Sequence, residues 1–404
     1  MNPKNGSFYS SSECSKDAPK FMDEMALYQK IYDLKHITKT IRVNKEYFDY
    51  CKAQTNFLIL VLYDKNGKVY LKENGVNQFK LLGGKVLAKE SVRDAVKRYV
   101  RKEFGKEVVI DELEPIAIST NVFKYEEMEV EHIGLAVIAR IDDEENFGKS
   151  AYLVNSILPL VNQFSDRCIL ELFEKRFSNM LIDNSNEFQD EEIEVNRRYQ
   201  SRYRLHNNIV KKYLLTSKRK RKQELIQIMS EKANGCSRFL DVSCGDNSLL
   251  FTLDYSEDFE FVVANDISWS QIELIPGMKD VYFTNHNAIT FPFKDNAFDF
   301  VYCSNTLHHM PNRVSLNNLL DSMLRVGKKV VIYEIEDPNV TGGFPHYLNK
   351  YWYRGFLKDA GEEYLSFDEF KKIIINSYKG RARIKFSNFR NIQGNYMIAE
   401  IEKL

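Results

Sequence analysis

Short apolar stretches and one amphipathic stretch mark the first half of the chain. The apolar stretches are separated by turn residues such as Asp64 to Gly67, which is typical of strands joined by hairpin turns. Between residues 90 and 104 apolar positions recur every three or four residues, which predicts an amphipathic helix. The predicted strands and helices of this half lie at residues 57–63, 68–71, 79–84, 90–104, 116–120, 132–141 and 161–177. Together they predict a mixed α+β domain.

The second half shows a different pattern, in which short, almost wholly apolar stretches alternate with helical segments. Such stretches are typical of strands buried on both faces, so a parallel sheet with helices on both sides is predicted. A last pair of strands, at 383–386 and 396–401, is predicted to form an antiparallel hairpin that closes the sheet. The other predicted strands lie at residues 238–242, 259–264, 281–284, 298–303 and 328–332.

An acidic stretch without helix or strand periodicity, at 181–196, is the predicted linker between two domains. A chain of 404 residues is also longer than one ordinary domain. The predicted division is a leader with an N-terminal helix (1–40), a first domain (41–180), a linker (181–198) and a second domain (199–404).

Charge and cysteine content narrow the classes of function. Lysine plus arginine (57) equals aspartate plus glutamate (57), and this balance disfavours a nucleic-acid partner. The basic run at 218–222 is therefore interpreted as a solvated helix face. Six cysteines without a C-x-x-C pair favour a reducing compartment and no structural zinc. The absence of a long apolar stretch or a signal-peptide pattern predicts a cytoplasmic protein without a membrane partner.

Two carboxylates in the second half point to a nucleotide-like ligand. Asp241 ends the first predicted strand and precedes a turn of small residues, Ser243 to Gly245, which lets the backbone approach a ligand. Asp266 ends the second predicted strand, where a carboxylate accepts hydrogen bonds from both hydroxyls of a ribose. Several kinds of nucleotide-binding Rossmann fold share these two features.

The residues that follow resemble one family in particular. The stretches NHNA at 285–288, FPFKDNAFDFV at 291–301 and NTLHH at 305–309 come in the order and spacing of the small-molecule class I S-adenosylmethionine-dependent methyltransferases. The resemblance covers roughly the last 205 residues and implies an α/β fold with a Rossmann-like seven-stranded methyltransferase sheet. A dinucleotide dehydrogenase is disfavoured because a G-x-G-x-x-G motif is missing.

The resemblance implies S-adenosyl-L-methionine as the cofactor and assigns roles to individual residues. Asp241 and Gly245 would border its methionine part, Asp266 would hold the ribose, and Asn287 with Ala288 would contact the adenine. Ser243 and Asn247 replace two loop glycines of the family. The complete expected set of cofactor-binding residues is Asp241, Ser243, Gly245, Asp266, Ile267, Asn287, Ala288 and Ser304.

Candidate residues for the acceptor side follow the fourth and fifth strands. His308 and His309 are candidate general bases, although histidines at such a position more often serve packing and hydrogen bonding. His346, Tyr351 and Trp352 either line the acceptor pocket or belong to a helix packed on the sheet. The motif of exocyclic-amine methylation, [DN]PP[YF], is absent after the fourth strand, which disfavours nucleobase and glutamine N-methylation.

The first domain resembles the Nudix hydrolases over roughly residues 45–180. The Gly83–Gly84 pair, Glu90, Arg98 and Gly105 occupy the positions of the Nudix box, G-x5-E-x7-R-E-U-x-E-E-x-G. Two of the three helix positions that hold Mg²⁺-binding glutamates are replaced, and the three residues there are Tyr99, Lys102 and Glu103. A Nudix-like domain without a metal site or hydrolysis is therefore expected.

Three hypotheses for function remain open at this point. The first is a methyltransferase for a small-molecule acceptor, nucleotide- or sugar-linked, with an inactive Nudix-like domain for substrate binding or assembly. The second is a bifunctional Nudix hydrolase and methyltransferase, and the third is a non-catalytic regulator that binds S-adenosylmethionine. A homo-oligomer is compatible with each of them.

Overall fold

The chain contains two seven-stranded sheets, as seen in a computed structural model. The structure describes residues 20–52, 56–73, 78–87, 89–106, 108–141, 150–182, 231–245, 259–268, 281–343, 347, 364–391 and 394–404. Among these residues no helix is both long and apolar enough to cross a membrane. The proposed linker from residue 183 onward and the basic run at 218–222 lie outside the described residues.

The first sheet is mixed, with the strand order β1-β7-β8-β2-β3-β9 and β6 paired to β2. Its strands are β1 (Lys35–Arg42), β2 (Asn56–Tyr63), β3 (Val69–Tyr70), β6 (Leu82–Lys85), β7 (Ile110–Tyr125), β8 (Met128–Ile141) and β9 (Ala151–Tyr152), while β4 (Lys72–Glu73) and β5 (Phe79–Lys80) form a separate ribbon. The helices are α1 (Phe21–Ile31), α2 (Lys45–Cys51), α3 (Val92–Phe104), α4 (Val154–Ile157) and α5 (Phe164–Ile182). The predicted hairpin of β2 and β3 and the predicted helix α3 are both confirmed.

Alternating side chains of β2 place this sheet between two layers of helices. Leu58, Leu60 and Leu62 face the layer that contains α1 and α3. Ile59 and Val61 face α5 on the other side. A strand that is apolar on both faces is expected when both faces are covered, so the continuous apolar stretch of β2 is explained.

Strands β7 and β8 form a long antiparallel hairpin that sequence patterns underestimated. Only 116–120 and 132–141 were predicted to be extended, whereas β7 begins at Ile110 and β8 at Met128. The start of β7 contains the buried carboxylates Glu112 and Glu114 and a register shift after Pro115. Charged residues and proline are typical of loops, so this part of the strand lacked the expected pattern.

The second sheet has the strand order β12-β11-β10-β13-β14-β16-β15, of which the first five are parallel. The antiparallel hairpin of β15 and β16 closes it, as predicted. Its elements are β10 (Arg238–Val242), β11 (Phe261–Asn265), β12 (Val281–Thr284), β13 (Phe298–Ser304), α6 (Arg313–Val326), β14 (Gly327–Ile335), α7 (Pro338–Thr341), α8 (Phe367–Tyr378), β15 (Ala382–Asn391) and β16 (Gly394–Lys403).

Helix α1 joins the two sheets. The backbone N–H of Phe21 donates to Glu90 in the first unit, whereas the carbonyl of Ile31 accepts from Lys294 in the second. The buried apolar side chains of α1 and α3 belong to the same core cluster as those of β10, β11 and β13. The two units therefore share a continuous core, and β1, which begins at Lys35, belongs to the first sheet rather than to a leader.

Candidate functional site

The predicted site residues of the second unit lie at one edge of its sheet. Strands β10 to β13 run parallel, so their carboxyl ends meet at the same edge. Asp241 lies near the end of β10, Asp266 directly follows β11, and Asn287 follows β12. Open α/β sheets bind their ligands at this edge, next to the turns that follow the strands.

The turn after β10 has an unusual backbone. Ser243 and Gly245 both have φ of 54°, in the left-handed region that favours glycine. The N–H of Cys244 donates to the carbonyl of Asn265, and the N–H of Gly245 donates to Asp266 Oδ2 at 2.9 Å. The turn after β10 is thus hydrogen-bonded to the end of β11.

Asp266 is held by backbone donors on both oxygens. Its Oδ1 accepts from the N–H of Ser268 at 2.8 Å, while Oδ2 accepts from Gly245. The side-chain amide of Asn285 donates to the carbonyls of Asp266 and Ile267, at 3.0 and 2.9 Å. Sequence patterns gave no indication of this role of Asn285, because it depends on the approach of the segment after β12.

Comparison with known proteins identifies this part of the chain. Residues 240–332 match the family model described as "Methyltransferase domain". Residues 240–332 are a methyltransferase domain. Demethylmenaquinone methyltransferases from Bacillus mycoides (strain KBAB4) and Bacillus cereus (strain AH187) are each 26% identical to this chain, over 137 and 134 residues. Each alignment covers 30% of this chain and 53% of the relative, so the chain spans about half the length of these curated relatives.

A solved structure of a SAM-dependent methyltransferase from Methanosarcina mazei is also similar, with 17% identity and a TM-score of 0.34. The similarity covers 44% of this chain and 97% of the other.

The cofactor of the methyltransferase domain is S-adenosyl-L-methionine. The turn at Gly245 is compatible with it, because a Cβ added there would meet no described atom within 4 Å. Asp266 Oδ1 and Oδ2 each accept a backbone N–H, which fixes the orientation of the carboxylate at this edge of the sheet.

Asn287, Ala288 and Ser304 lie at the same edge as the two aspartates. Asn287 Oδ1 accepts from the N–H of Ile289 at 3.0 Å and caps a short 3-10 turn that begins with the buried Ala288. Ser304 is the last residue of β13 and is half-buried. The expected cofactor-binding residues are therefore brought together by the parallel strands, although they span more than 60 positions of the chain.

His308 and His309 follow β13 in a second 3-10 turn. His308 Nδ1 lies 2.7 Å from Glu334 Oε1, and the ring stacks on Tyr364 with centroids 4.7 Å apart. His309 is next to His308, with ring centroids 4.3 Å apart. Glu334, a buried carboxylate near the end of β14, was missed from the sequence, where only 328–332 were predicted to be extended.

The buried thiol of Cys303 lies within electrostatic range of both Asp241 and Glu334. Burial is the largest cause that raises the pKa of this thiol to about 12, and the two carboxylates raise it further. Asp241, near the end of β10, and Glu334, near the end of β14, therefore lie toward the same edge of the sheet.

A cavity of about 390 Å³ lies at the end of β14. The buried carboxylate of Glu336 forms part of its wall and accepts hydrogen bonds from Asn395 Nδ2 at 2.7 Å and the N–H of Phe367 at 3.0 Å. Arg390 contributes a guanidinium to the same wall. The candidates His346, Tyr351 and Trp352 lie outside the described residues.

In the first unit, the two carboxylates left in the Nudix-box positions are already paired. Arg98 donates to both oxygens of Glu90, at 2.6 and 2.8 Å. Burial tends to raise the pKa of Glu90, but hydrogen bonds from Arg98 and the N–H of Leu87 outweigh it and hold the pKa below its usual value. Glu103 accepts from Lys72 Nζ at 2.8 Å and from Tyr70 Oη at 2.9 Å.

Tyr99 occupies the position of another box carboxylate. Its hydroxyl donates to the carbonyl of Lys85 at 3.0 Å, and a Cβ on Gly84 would lie only 2.6 Å from that oxygen. Gly84 therefore leaves room for the tyrosine. The side chain serves packing of α3 against β6 instead of metal binding.

One group of potential metal ligands occurs among the described residues, at the junction of the two units. Ligand atoms of Glu112, Glu114 and His286 lie within 4.8 Å of one another. Arg176 donates to Glu114 at 3.1 Å, and Arg140 also acts electrostatically on Glu112. Arg176 and Arg140 already place two positive charges beside these carboxylates, so a divalent cation would add further positive charge in a buried setting. We therefore interpret the group as a polar network that joins the two units.

Proposed function

We propose that this protein transfers a methyl group from S-adenosylmethionine to a small-molecule acceptor. The observation that carries the proposal is the turn at Ser243 to Gly245, fastened to Asp266 at the carboxyl edge of a sheet that matches a methyltransferase domain. S-adenosylmethionine, when bound, supplies a methyl group on a sulfonium whose positive charge is lost on transfer. The chain's own contribution is alignment of the two reactants.

We assign the cofactor-binding roles from the resemblance together with this geometry. Asp241 and Gly245 border the methionine part, and Asp266 holds the ribose. Asn287 and Ala288 border the adenine. Ser243, Ile267 and Ser304 complete the set through their position at the same edge of the sheet.

The acceptor is proposed to be a small molecule for two reasons. The curated relatives are demethylmenaquinone methyltransferases, whose printed name indicates a small-molecule acceptor. The cavity beside Glu336, about 390 Å³ in volume, is also within the size range of small-ligand pockets. His346, Tyr351 and Trp352 remain proposed acceptor residues.

For the first unit we propose a Nudix-like domain that binds substrate or supports assembly without hydrolysis. The pairing of Glu90 with Arg98 and of Glu103 with Lys72 supports this proposal, because neither carboxylate is available to a metal without breaking an ion pair. We place the start of this domain at Lys35, where β1 begins.

Binding and transfer can be tested separately with the full-length chain. Isothermal titration calorimetry should detect S-adenosylmethionine binding, and labelled methyl donor with a cell metabolite extract should yield S-adenosylhomocysteine and a labelled product. Asp266→Ala should weaken binding at least about tenfold, because a charged acceptor contributes about 1.5–3 kcal/mol.

The matched control for Asp266→Ala is Asp295→Ala, which removes a largely exposed carboxylate of the same domain. This control should bind the cofactor like the wild type. Absence of S-adenosylmethionine binding by the wild-type chain would refute the proposed function. Equal affinity of the wild type and Asp266→Ala for S-adenosylmethionine would refute only the proposed role of Asp266.

A further inference from the structure

A buried histidine and a buried glutamate are paired at the carboxyl edge of the methyltransferase sheet. His308 is 4% exposed and Glu334 is 1% exposed. Their closest side-chain atoms, Nδ1 and Oε1, are 2.7 Å apart. Burying a carboxylate at this depth is costly unless donors surround it, so the pair needs an explanation.

The hydrogen-bond donors around Glu334 indicate which ring nitrogen of His308 carries a proton. Glu334 Oε2 accepts from the N–H of Leu307 at 2.8 Å, and Oε1 accepts from the N–H of Ile335 at 3.0 Å. Donors on both oxygens are the partners expected for an ionised carboxylate. His308 therefore donates its Nδ1–H to Glu334, so whenever the ring is neutral its lone pair is on Nε2.

The orientation of the ring is fixed as well. Tyr364 stacks on His308 at an interplanar angle of 13°, and the turn that carries His308 is hydrogen-bonded to Glu334 through Leu307. Because the ring is held by its face and by Nδ1, Nε2 points in one defined direction. A fixed imidazole with a carboxylate behind it is an arrangement suited to a general base.

The pair also lies next to the proposed cofactor site. Strands β13 and β14 are parallel neighbours, so the turn after β13 and the end of β14 share the edge at which Asp241 lies. Cys303 is within electrostatic range of both Asp241 and Glu334. The imidazole thus lies at the edge of the sheet where the cofactor is proposed to bind.

We propose that His308 is the general base of the reaction, that Glu334 is its positioning residue, and that the acceptor atom is a hydroxyl oxygen. This inference rests on the proposed methyl-transfer function. The hydroxyl proton passes to Nε2 of His308 while the oxygen–methyl bond forms and the methyl–sulfur bond breaks, with the bonding pair left on sulfur. Glu334 stabilises the resulting imidazolium, which returns its proton to water after the product leaves.

A hydroxyl acceptor is favoured over other nucleophiles because it gains most from such a base. A phenolic hydroxyl has a pKa of about 10 and is almost wholly protonated at neutral pH. A thiol, with a pKa of about 8.5, is already partly ionised, and a neutral amine attacks through its own lone pair. A buried, oriented base would add little to either of these reactions.

The first test needs no acceptor. Long-range ¹⁵N–¹H NMR of the full-length chain should show His308 as the tautomer with a proton on Nδ1, assigned by loss of its signals in His308→Asn. In Glu334→Gln the pKa of the His308 ring should fall, because the carboxylate that stabilises its charged form is gone. A proton on Nε2 in the wild type, or an unchanged ring pKa in Glu334→Gln, would overturn the proposal.

The second test identifies the methylated atom. Full-length protein, labelled methyl donor and a metabolite extract should give a product with the label on oxygen. His308→Asn should lower kcat by about 10²- to 10⁴-fold while its affinity for S-adenosylmethionine, measured by calorimetry, stays within about threefold. In Glu334→Gln the rate should be lower and its rise with pH should begin at a lower pH, a shift that a purely structural role would not produce.

Controls separate this inference from the proposed function. Asp166→Asn changes a similarly buried carboxylate on α5 of the first unit, which accepts from the N–H of Leu81, and should keep the wild-type pH profile. Label on sulfur or nitrogen, or a larger loss in His309→Asn than in His308→Asn, would overturn the inference and leave methyl transfer intact. Absence of both cofactor binding and S-adenosylhomocysteine would refute methyl transfer itself, and the inference with it.

Discussion

The resemblance to the class I methyltransferases implies a glycine at the position of Ser243, and the backbone there has a conformation that favours glycine. Its φ of 54° lies in the left-handed region, which costs a residue with a Cβ about 1–2 kcal/mol. The neighbouring hydrogen bonds of Cys244 and Gly245 hold the turn in this shape. The conformation is thus imposed by the fold on a residue that does not prefer it.

Ser243→Gly should stabilise the protein slightly. Relief of the strained φ outweighs the added freedom of glycine in the unfolded chain, about 0.5–1 kcal/mol, so we expect a net gain of up to about 1 kcal/mol. For a domain of this size that corresponds to a rise in Tm of about 2–4 °C at most. Ser243→Ala keeps the Cβ and should show no such rise. A lower Tm for the glycine variant than for the alanine variant would contradict this explanation.

Among the helices and strands, α3 and β7 contain carboxylates that look like metal ligands in the sequence but have a structural role. In α3 and the loop before it, the remaining box carboxylates Glu103 and Glu90 form ion pairs, and Tyr99 packs on Gly84. In β7 the carboxylates Glu112 and Glu114 are directed to the junction with the second unit. In both elements, carboxylates that resemble metal ligands instead form contacts that hold neighbouring segments together.

The full-length chain is therefore expected to show no magnesium-dependent hydrolysis of nucleoside diphosphate conjugates. Mg²⁺ prefers several oxygen ligands, and here Lys72 and Arg98 already neutralise Glu103 and Glu90. Phosphate or nucleotide release, followed by chromatography, is the measurement. Turnover by the wild type that is abolished in Glu103→Gln would contradict this expectation and support a bifunctional enzyme.

At the scale of the whole molecule, the two units are joined by a buried polar network inside a shared apolar core. Tyr32 Oη lies 2.6 Å from His286 Nε2, directly before the proposed adenine residue Asn287. Tyr63 Oη donates to Glu112 at 2.7 Å. The first unit thus contacts the segment that precedes the proposed cofactor site, so docking and cofactor binding are expected to be coupled.

Stability should fall as the pH rises from 6.5 to 8. Burial, the largest cause, raises the pKa of Glu24 to about 8 and that of Glu112 to about 7. At pH 6.5 the folded protein holds most of these protons and loses them as the pH rises to 8, whereas the unfolded chain, with pKa values near 4.5, has already released them. Since the folded state binds more protons, raising the pH disfavours it, by about 2 kcal/mol in total.

Urea unfolding at the two pH values, monitored by circular dichroism, measures this effect. The slope of stability against pH should be smaller in Glu24→Gln and Glu112→Gln, whose side chains do not titrate. His286 does not interfere, because burial lowers its pKa to about 3 and the ring is neutral throughout the window. Equal stability of the wild type at pH 6.5 and pH 8 would contradict the expectation.

The sequence by itself determined the parallel strands of the second sheet and the residues that end them. Apolar stretches such as 238–242 and 281–284 agree with β10 and β12, because a strand buried on both faces carries its pattern locally. Asp241 and Asp266 could be predicted in the same way, because a carboxylate at the end of an apolar stretch is recognisable from the local sequence alone. The match of residues 240–332 to a methyltransferase domain agrees with that interpretation.

Tertiary structure alone decided which buried charges are partners. Glu112, Glu114 and Glu334 interrupt apolar stretches, so the sequence patterns began β7 too late, at 116, and ended β14 too early, at 332. A buried carboxylate is tolerated only beside donors that are distant in the chain, such as Arg176 for Glu114 and His308 for Glu334. Pairing across such separations is set by the packing of whole elements, and hydrophobic periodicity contains no information about it.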